Sequence, residues 1–195
     1  MIGLSLDTLK EERWQRDRDR FVAAAEKLGA KVEVLSANSD DKAQAQDMNS
    51  FISKRADAIV IVPHDAKAMA QSVQAARDAD VKRLLVVGGG GSLEVAPGLE
   101  LLDAPGFPEE HRGPAEGPRE ALRLLRTETV LDWTMLCPGA IIEPGERTGQ
   151  FRLGTDQLLV NAAGESRISV QDFALAMIDE LEKPAHSRRR FTVGY

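Results

Sequence analysis

Four residues within the first fourteen carry groups suited to holding a hydroxylated ligand. Asp7 and Lys10 supply charge, Arg13 a guanidinium fork, and Trp14 a flat ring face. A planar fork can grip paired oxygens, and an aromatic face can cover a ring. The plainer reading places Trp14 in a helix's buried stripe and leaves Asp7 and Arg13 as solvated charges. A second set consists of small residues. Gly88, Gly89 and Gly90 follow one apolar run, and Cys137, Pro138 and Gly139 follow another. Glycine lets backbone approach a ligand closely because it has no β-carbon. The plainer reading of the GGGGS run is a flexible loop, and on spacing alone the motif is weak.

Other reactive types are sparse. Cys137 is the single cysteine, so no intramolecular disulfide can form. No histidine and amide or acid motif accompanies it, so it reads as a strand-end residue and not a nucleophile. His64 and Asp65 share one loop, where His64 could titrate or receive an anion at a helix start; an ordinary loop residue is the plainer reading. His111 and His186 lack metal-ligand spacing, and no metal site is expected.

These groups need elements to hold them. Ile2–Leu6 reads as a buried strand. Thr8 and Glu11 form a capping box that starts a helix near Leu9, with Trp14, Phe21, Val22, Ala25 and Leu28 at helical spacing and Gly29 as its C-terminal stop. A strand over Val32–Leu35, a helix over Asp41–Lys54, and a strand over Ala58–Val62 follow. That last run has no polar interruption, as in a central strand covered on both faces. Ala66, Met69, Val73 and Ala76 mark a third helix, and Leu84–Val87 a fourth strand. Beyond the glycines the chain turns irregular, with a helix from near Pro118 to near Arg126. A fifth strand follows over Trp133–Leu136, with short extra strands at Phe151–Leu153 and Gln157–Val160. Ser169 caps a helix that turns Val170, Phe173, Ala174, Met177, Ile178 and Leu181 inward. A last strand covers Phe191–Tyr195. Strict β-α alternation predicts right-handed crossovers and a parallel sheet.

The totals exclude several classes. The net charge of −6 is wrong for a general nucleic-acid binder. Arg188-Arg189-Arg190 reads as a solvated turn or helix-end cluster. No apolar run approaches the roughly 20 residues that span a bilayer. No basic segment leads into an apolar one at Met1, so a cytoplasmic location is expected. One domain over 1–195 is the expected organisation.

The stretches ERWQRDRD, LGAKVEVLSAN and ADAIVIVP carry a resemblance. Residues 1–82 are similar to the first lobe of periplasmic sugar-binding proteins of ABC importers, most closely the xylose-binding kind. The resemblance implies a lobe of strand order 2-1-3-4-5 with sugar held in a cleft between two lobes, Arg13 gripping hydroxyls and Trp14 beside it. The family's Asp-Arg pair after strand four is replaced by Gly88-Gly89-Gly90, and the second lobe is missing.

From about Val81 the chain resembles another group. VKRLLVVGGGGSLEVAPG and GESRISVQDFALAMIDELEKPAHSRRRFTVGY are similar to the carboxyl-terminal half of small NAD(P)-binding, NmrA-like members of the extended short-chain dehydrogenases. That resemblance implies a Rossmann fold with NAD(P) over the strand ends, near Gly88–Gly90 and Cys137–Gly139. The family's glycine-rich diphosphate turn is replaced by DTLKEERW, whose acids repel an anion. Its Tyr-x-x-x-Lys relay is absent, because the only tyrosine is Tyr195.

The expectation is therefore an α/β fold with a single doubly wound, mainly parallel sheet of order 2-1-3-4-5-6. A sugar-binding-protein-like half (1–82) joins a Rossmann-like half (83–195). A designed or recombined chimera without evolved catalysis follows, so not an enzyme. It requires no cofactor, does not bind nucleic acid, membranes or small molecules tightly, and is a monomer. The alternatives are weak NAD(P) binding through Gly88, Gly89, Gly90, Cys137, Pro138 and Gly139, and residual pentose binding through Asp7, Lys10, Arg13 and Trp14. Voids at the contact of strands three and four are expected, because the halves did not evolve against each other.

Overall fold

The computed structural model describes residues 1–10, 12–63 and 66–195, without the side chains of residues 13 and 66–68. Glu11, His64 and Asp65 thus lie outside the described residues, as does the side chain of Arg13.

The first half follows the apolar pattern closely. Strand β1 (Ile2–Leu6) leads to α1 (Glu12–Lys27), β2 (Val32–Ser36), α2 (Asp41–Ser53), β3 (Ala58–Ile61), α3 (Ala66–Asp78) and β4 (Leu84–Val87). Every residue of β3 is buried, as its unbroken apolar run requires. Asp40 caps α2 by accepting from the Ala43 amide at 2.7 Å. Leu9 and Lys10 form a bend before α1, and the expected capping box involves Glu11, outside the described residues. The Thr8 hydroxyl is taken locally by the Lys10 amide at 3.1 Å, which holds residues 7–10 in a turn. Gly29 ends the helix with φ 81°, donating to Glu26 at 2.9 Å. Leu28, expected inward, is 52% exposed.

The second half adds a short hairpin, β5 (Glu94–Ala96) and β6 (Leu99–Glu100), then α4 (Glu109–Thr127), β7 (Trp133–Pro138), β8 (Ile141–Glu143), β9 (Arg152–Gly154), β10 (Arg167–Ser169), α5 (Val170–Glu182) and β11 (Arg189–Gly194). Helix α4 begins nine residues before Pro118 and carries Pro114 and Pro118 inside it. Arg119 explains the extension. It lies 2.7 Å from Asp103, 3.3 Å from Glu100 and 2.5 Å from Glu116, fastening the helix to the preceding segment. Residues 157–160 form no strand; Gln157 makes only an isolated bridge to Glu94.

The main sheet has the order β2-β1-β3-β4-β7-β11-β9. Its first six strands are parallel, and β9 pairs antiparallel to β11 at the edge. The expected order 2-1-3-4-5-6 is what the parallel strands show, with β7 and β11 as fifth and sixth. Strands from both stretches share this sheet at the β3–β4 pairing, where Val60 stands opposite Leu85.

Side chains alternate across the sheet. On one face α2, α3 and α4 cover Ile59, Ile61, Leu84, Val86, Met135 and Cys137. On the other, α1 and α5 alone cover Leu4, Leu6, Val60, Leu85 and Leu136. Two helices thus cover a face whose opposite needs three.

Candidate functional site

The thinner covering leaves a cleft. It opens between α1 and α5 at the carboxyl ends of β1, β3, β4 and β7, and it has a volume of about 670 Å3, solvent mouth included. Leu4, Leu6, Val60 and Val62 form the floor, Phe21, Phe173 and Met177 the walls, and Trp14, Gly88 and Pro138 the upper end. Asp17 and Arg18 of α1 are its charged lining residues. This is where a doubly wound sheet presents a ligand crevice, outside the strand ends and beside the point where strand order reverses. It also lies over β3 and β4, the contact at which a void is expected from the sequence.

The structure brings together part of each predicted residue set. Trp14 comes from the first set, and Gly88 and Pro138 from the second. Asp7 and Lys10 stand outside the lining, on the turn that precedes α1. The Asp7 carbonyl accepts from the Ser39 amide at 2.9 Å.

Gly88 shows why a glycine follows β4. A β-carbon there would stand 2.6 Å from the Cys137 sulfur and 2.9 Å from Met135 Cγ. Its backbone faces the cleft while its missing side chain makes room on the other sheet face. Gly90 is similarly confined, since a β-carbon would meet the Gly139 carbonyl oxygen at 2.9 Å. The glycine run is therefore a packed turn and not a loose linker. Gly91 and Ser92 are buried in it. Gly89 and Gly139 belong to this packing and not to the cleft lining.

Cys137 does not reach the cleft. One residue before Pro138, it points to the α2–α4 face, as period-two alternation demands. Burial pushes its thiol up to about 11, against hydrogen bonds from Arg190, Ser92 and the Gly89 amide. A buried thiol of that basicity has little thiolate at neutral pH. The basic triplet also differs from expectation. Arg188 turns with φ 53° and Arg189 is exposed. Arg190 is instead buried in β11, paired with Asp156 and donating to the Ser92 carbonyl at 2.8 Å.

Three further buried polar clusters lie outside the cleft lining. Asp172 of α5 is buried and accepts from the Thr148 hydroxyl at 2.6 Å, the Gly149 amide at 2.9 Å and the Tyr195 hydroxyl at 2.8 Å. Burial opposes its ionisation, but those donors outweigh it and hold its carboxyl below the usual range. Ser5 donates to Asp47 at 3.0 Å on the opposite face, where burial raises the Asp47 carboxyl against that bond. At the other end of the sheet, Glu180 binds Arg83 at 2.5 Å and His186 Nδ1 at 2.7 Å. His186 stacks on Phe191 with centroids 4.0 Å apart. Among the described residues, no group of three or more His, Cys, Asp or Glu side chains could hold a metal ion, and no helix is long and apolar enough to cross a membrane.

Sequence reasoning missed Asp17, Arg18, Phe21 and Met177 as lining residues. Phe21 and Met177 have the spacing of buried stripe residues, and spacing reports direction, not whether the space ahead is filled.

Comparison with known proteins supports both resemblances. Residues 2–88 match the periplasmic binding protein domain. The D-xylose-binding periplasmic protein of Haemophilus influenzae is 47% identical over 83 residues, 43% of this chain and 25% of that protein. The uncharacterized protein YwnB of Bacillus subtilis is 47% identical over 120 residues, 60% of this chain and 56% of that one. The chain thus spans about half the length of one of these relatives and a quarter of the other. Among solved structures, a "putative epimerase" of Bacteroides thetaiotaomicron is 32% identical, with a TM-score of 0.79 over 100% of this chain and 96% of that one. A "putative NADH-flavin reductase" of Streptococcus pneumoniae is 26% identical, with a TM-score of 0.77 over 100% and 99%. These whole-length neighbours named for reactions overturn the expectation that the chain is not an enzyme.

Proposed function

The chain belongs to the family of the Bacteroides thetaiotaomicron protein over its whole length, and from that premise we propose that it binds a small molecule in the α1–α5 cleft. The ligand is a planar ring with an apolar face, of the reduced nicotinamide class. The observation that carries this reading is the cleft itself, which opens at the strand ends and has a mainly apolar wall. Small-molecule sites are lined mainly by apolar and aromatic groups. The Streptococcus pneumoniae neighbour, named for NADH, supports the ring's class. Trp14 and Phe173 are aromatic lining residues, and Gly88 lets backbone come close to a ring.

The periplasmic binding family supports ligand binding in general, in place of the expected lack of it. A free pentose, with no flat apolar ring attached, suits this wall poorly. Its hydroxyls would leave water for a surface whose side-chain charges are Asp17 and Arg18, and unpaired buried polar groups cost roughly 1–3 kcal/mol each. The match at residues 2–88 beside whole-length neighbours of another kind further supports an origin by recombination near β4.

Isothermal titration of the full chain with reduced nicotinamide mononucleotide and, separately, xylose tests this. Binding of the nucleotide, abolished by Ala174→Phe, is expected; Ala174 lines the cleft, and a phenyl group fills it. Xylose binding without nucleotide binding would overturn it.

A further inference from the structure

The two helices that form the cleft also form a second groove beside it. Arg20 and Lys27 of α1 line it with Gln171, Ala174 and Leu175 of α5 and Arg147 of the intervening loop. It holds three cations and no carboxylate, on a chain of net charge −6. Ala174 lines both cavities. Asp17 of the cleft and Arg20 of the groove approach to 3.9 Å.

The cations are only partly satisfied. Arg20 Nη1 is buried and makes no hydrogen bond. Among the described residues, Lys27 and Arg147 have no acid partner. The backbone on either side of Arg147 is nevertheless anchored to α5. The next two residues donate to Asp172, through the Thr148 amide at 3.3 Å and the Gly149 amide at 2.9 Å. The Gly145 amide donates to Gln171 at 3.0 Å. A cluster of cations without carboxylates among them is suited to an anion.

The two cavities fit one elongated ligand. Arg20 lies six residues beyond Trp14 on the same helix, about 9 Å at 1.5 Å per residue. A ring, a pentose and a phosphate in sequence bridge a distance of that order. The turn over residues 7–10 has no glycine and carries Asp7, so it does not offer the usual anion cradle after a first strand.

We propose that the groove of Arg20, Lys27 and Arg147 receives the phosphate of a mononucleotide whose ring occupies the cleft. This rests on the cleft being a ligand site. The phosphate then lies between α1 and α5 and not over the first helix's amino terminus. The site prefers a mononucleotide to the nucleoside lacking its phosphate.

Calorimetric titration of the full chain with reduced nicotinamide mononucleotide and reduced nicotinamide riboside tests the proposal, because both carry the same neutral ring. The mononucleotide should bind about tenfold tighter, the ratio that one charge-assisted hydrogen bond can supply. Lys27→Ala with Arg147→Ala, two exposed positions outside the cleft lining, should remove the difference and leave riboside affinity unchanged. Arg147→Ala alone, at an exposed position, guards against a folding defect and should narrow the difference. Raising the salt concentration should also narrow it. Equal affinities in the unmodified chain would overturn the phosphate site and leave the cleft reading standing. If neither ligand bound, both would fall.

Discussion

Single atoms decide what the cleft can be. Gly88 has backbone on one side of the sheet and the Cys137 sulfur on the other, so any side chain there forces β4 away from β7. Gly88→Val should cost about 1–3 kcal/mol, the usual penalty of overpacking, seen as a lower urea midpoint. Cys137 should resist thiol reagents in the native chain and react only at the rate of unfolding, because burial holds its thiol near 11. Asp172 is the opposite case, a carboxylate whose buried charge is answered by four hydrogen bonds. Its folded pKa is depressed, so its stabilisation is present above the unfolded value of about 3.9 and is lost as pH falls through the folded one. Asp172→Asn should therefore cost about 1–3 kcal/mol at pH 7, and its urea midpoint should approach that of the unmodified chain as pH drops below about 4. A gap independent of pH would show that the charge is not the cause.

Elements decide where the space lies. Helices α2, α3 and α4 fill one sheet face, whereas α1 and α5 leave the cleft on the other. Helix α4 shows how tertiary contacts override local preference. Its prolines argue for a start at Pro118, yet the Arg119 cluster carries the helix back to Glu109. Pro114 is exposed and removes one helical hydrogen bond. Pro114→Ala should raise the thermal midpoint, by about 1 kcal/mol of stability after allowing for the looser unfolded chain. Pro118 is different, since it packs against Gly89, where a β-carbon would lie 3.3 Å from it.

At the scale of the whole molecule, the two stretches share one sheet and both of its cores. Phe51, Ile61 and Met69 pack with Leu122, Trp133 and Met135, and Phe21 with Phe173 and Met177. Residues 1–82 alone would expose the faces that β4, α4 and α5 cover. Urea unfolding followed by circular dichroism and by tryptophan fluorescence should accordingly give one coincident transition, and separate expression of 1–82 should give an unfolded chain. Two transitions would show that the stretches fold independently. Much of this architecture is legible in the amino-acid sequence. Unbroken apolar runs such as Ala58–Ile61, the cap at Ser169 and the alternation of strand and helix suffice for a parallel sheet and its order, because periodicity and capping are local. The two resemblances also name the cleft's upper end, through Trp14, Gly88 and Pro138. The sequence does not reveal that Phe21 and Met177 face an opening, that Cys137 lies on the wrong side of the sheet from Pro138, or that Arg190 is buried while Arg189 is exposed. Those outcomes depend on which helices meet over which strands. Only the folded arrangement decides whether an inward-facing side chain finds a partner or an empty space.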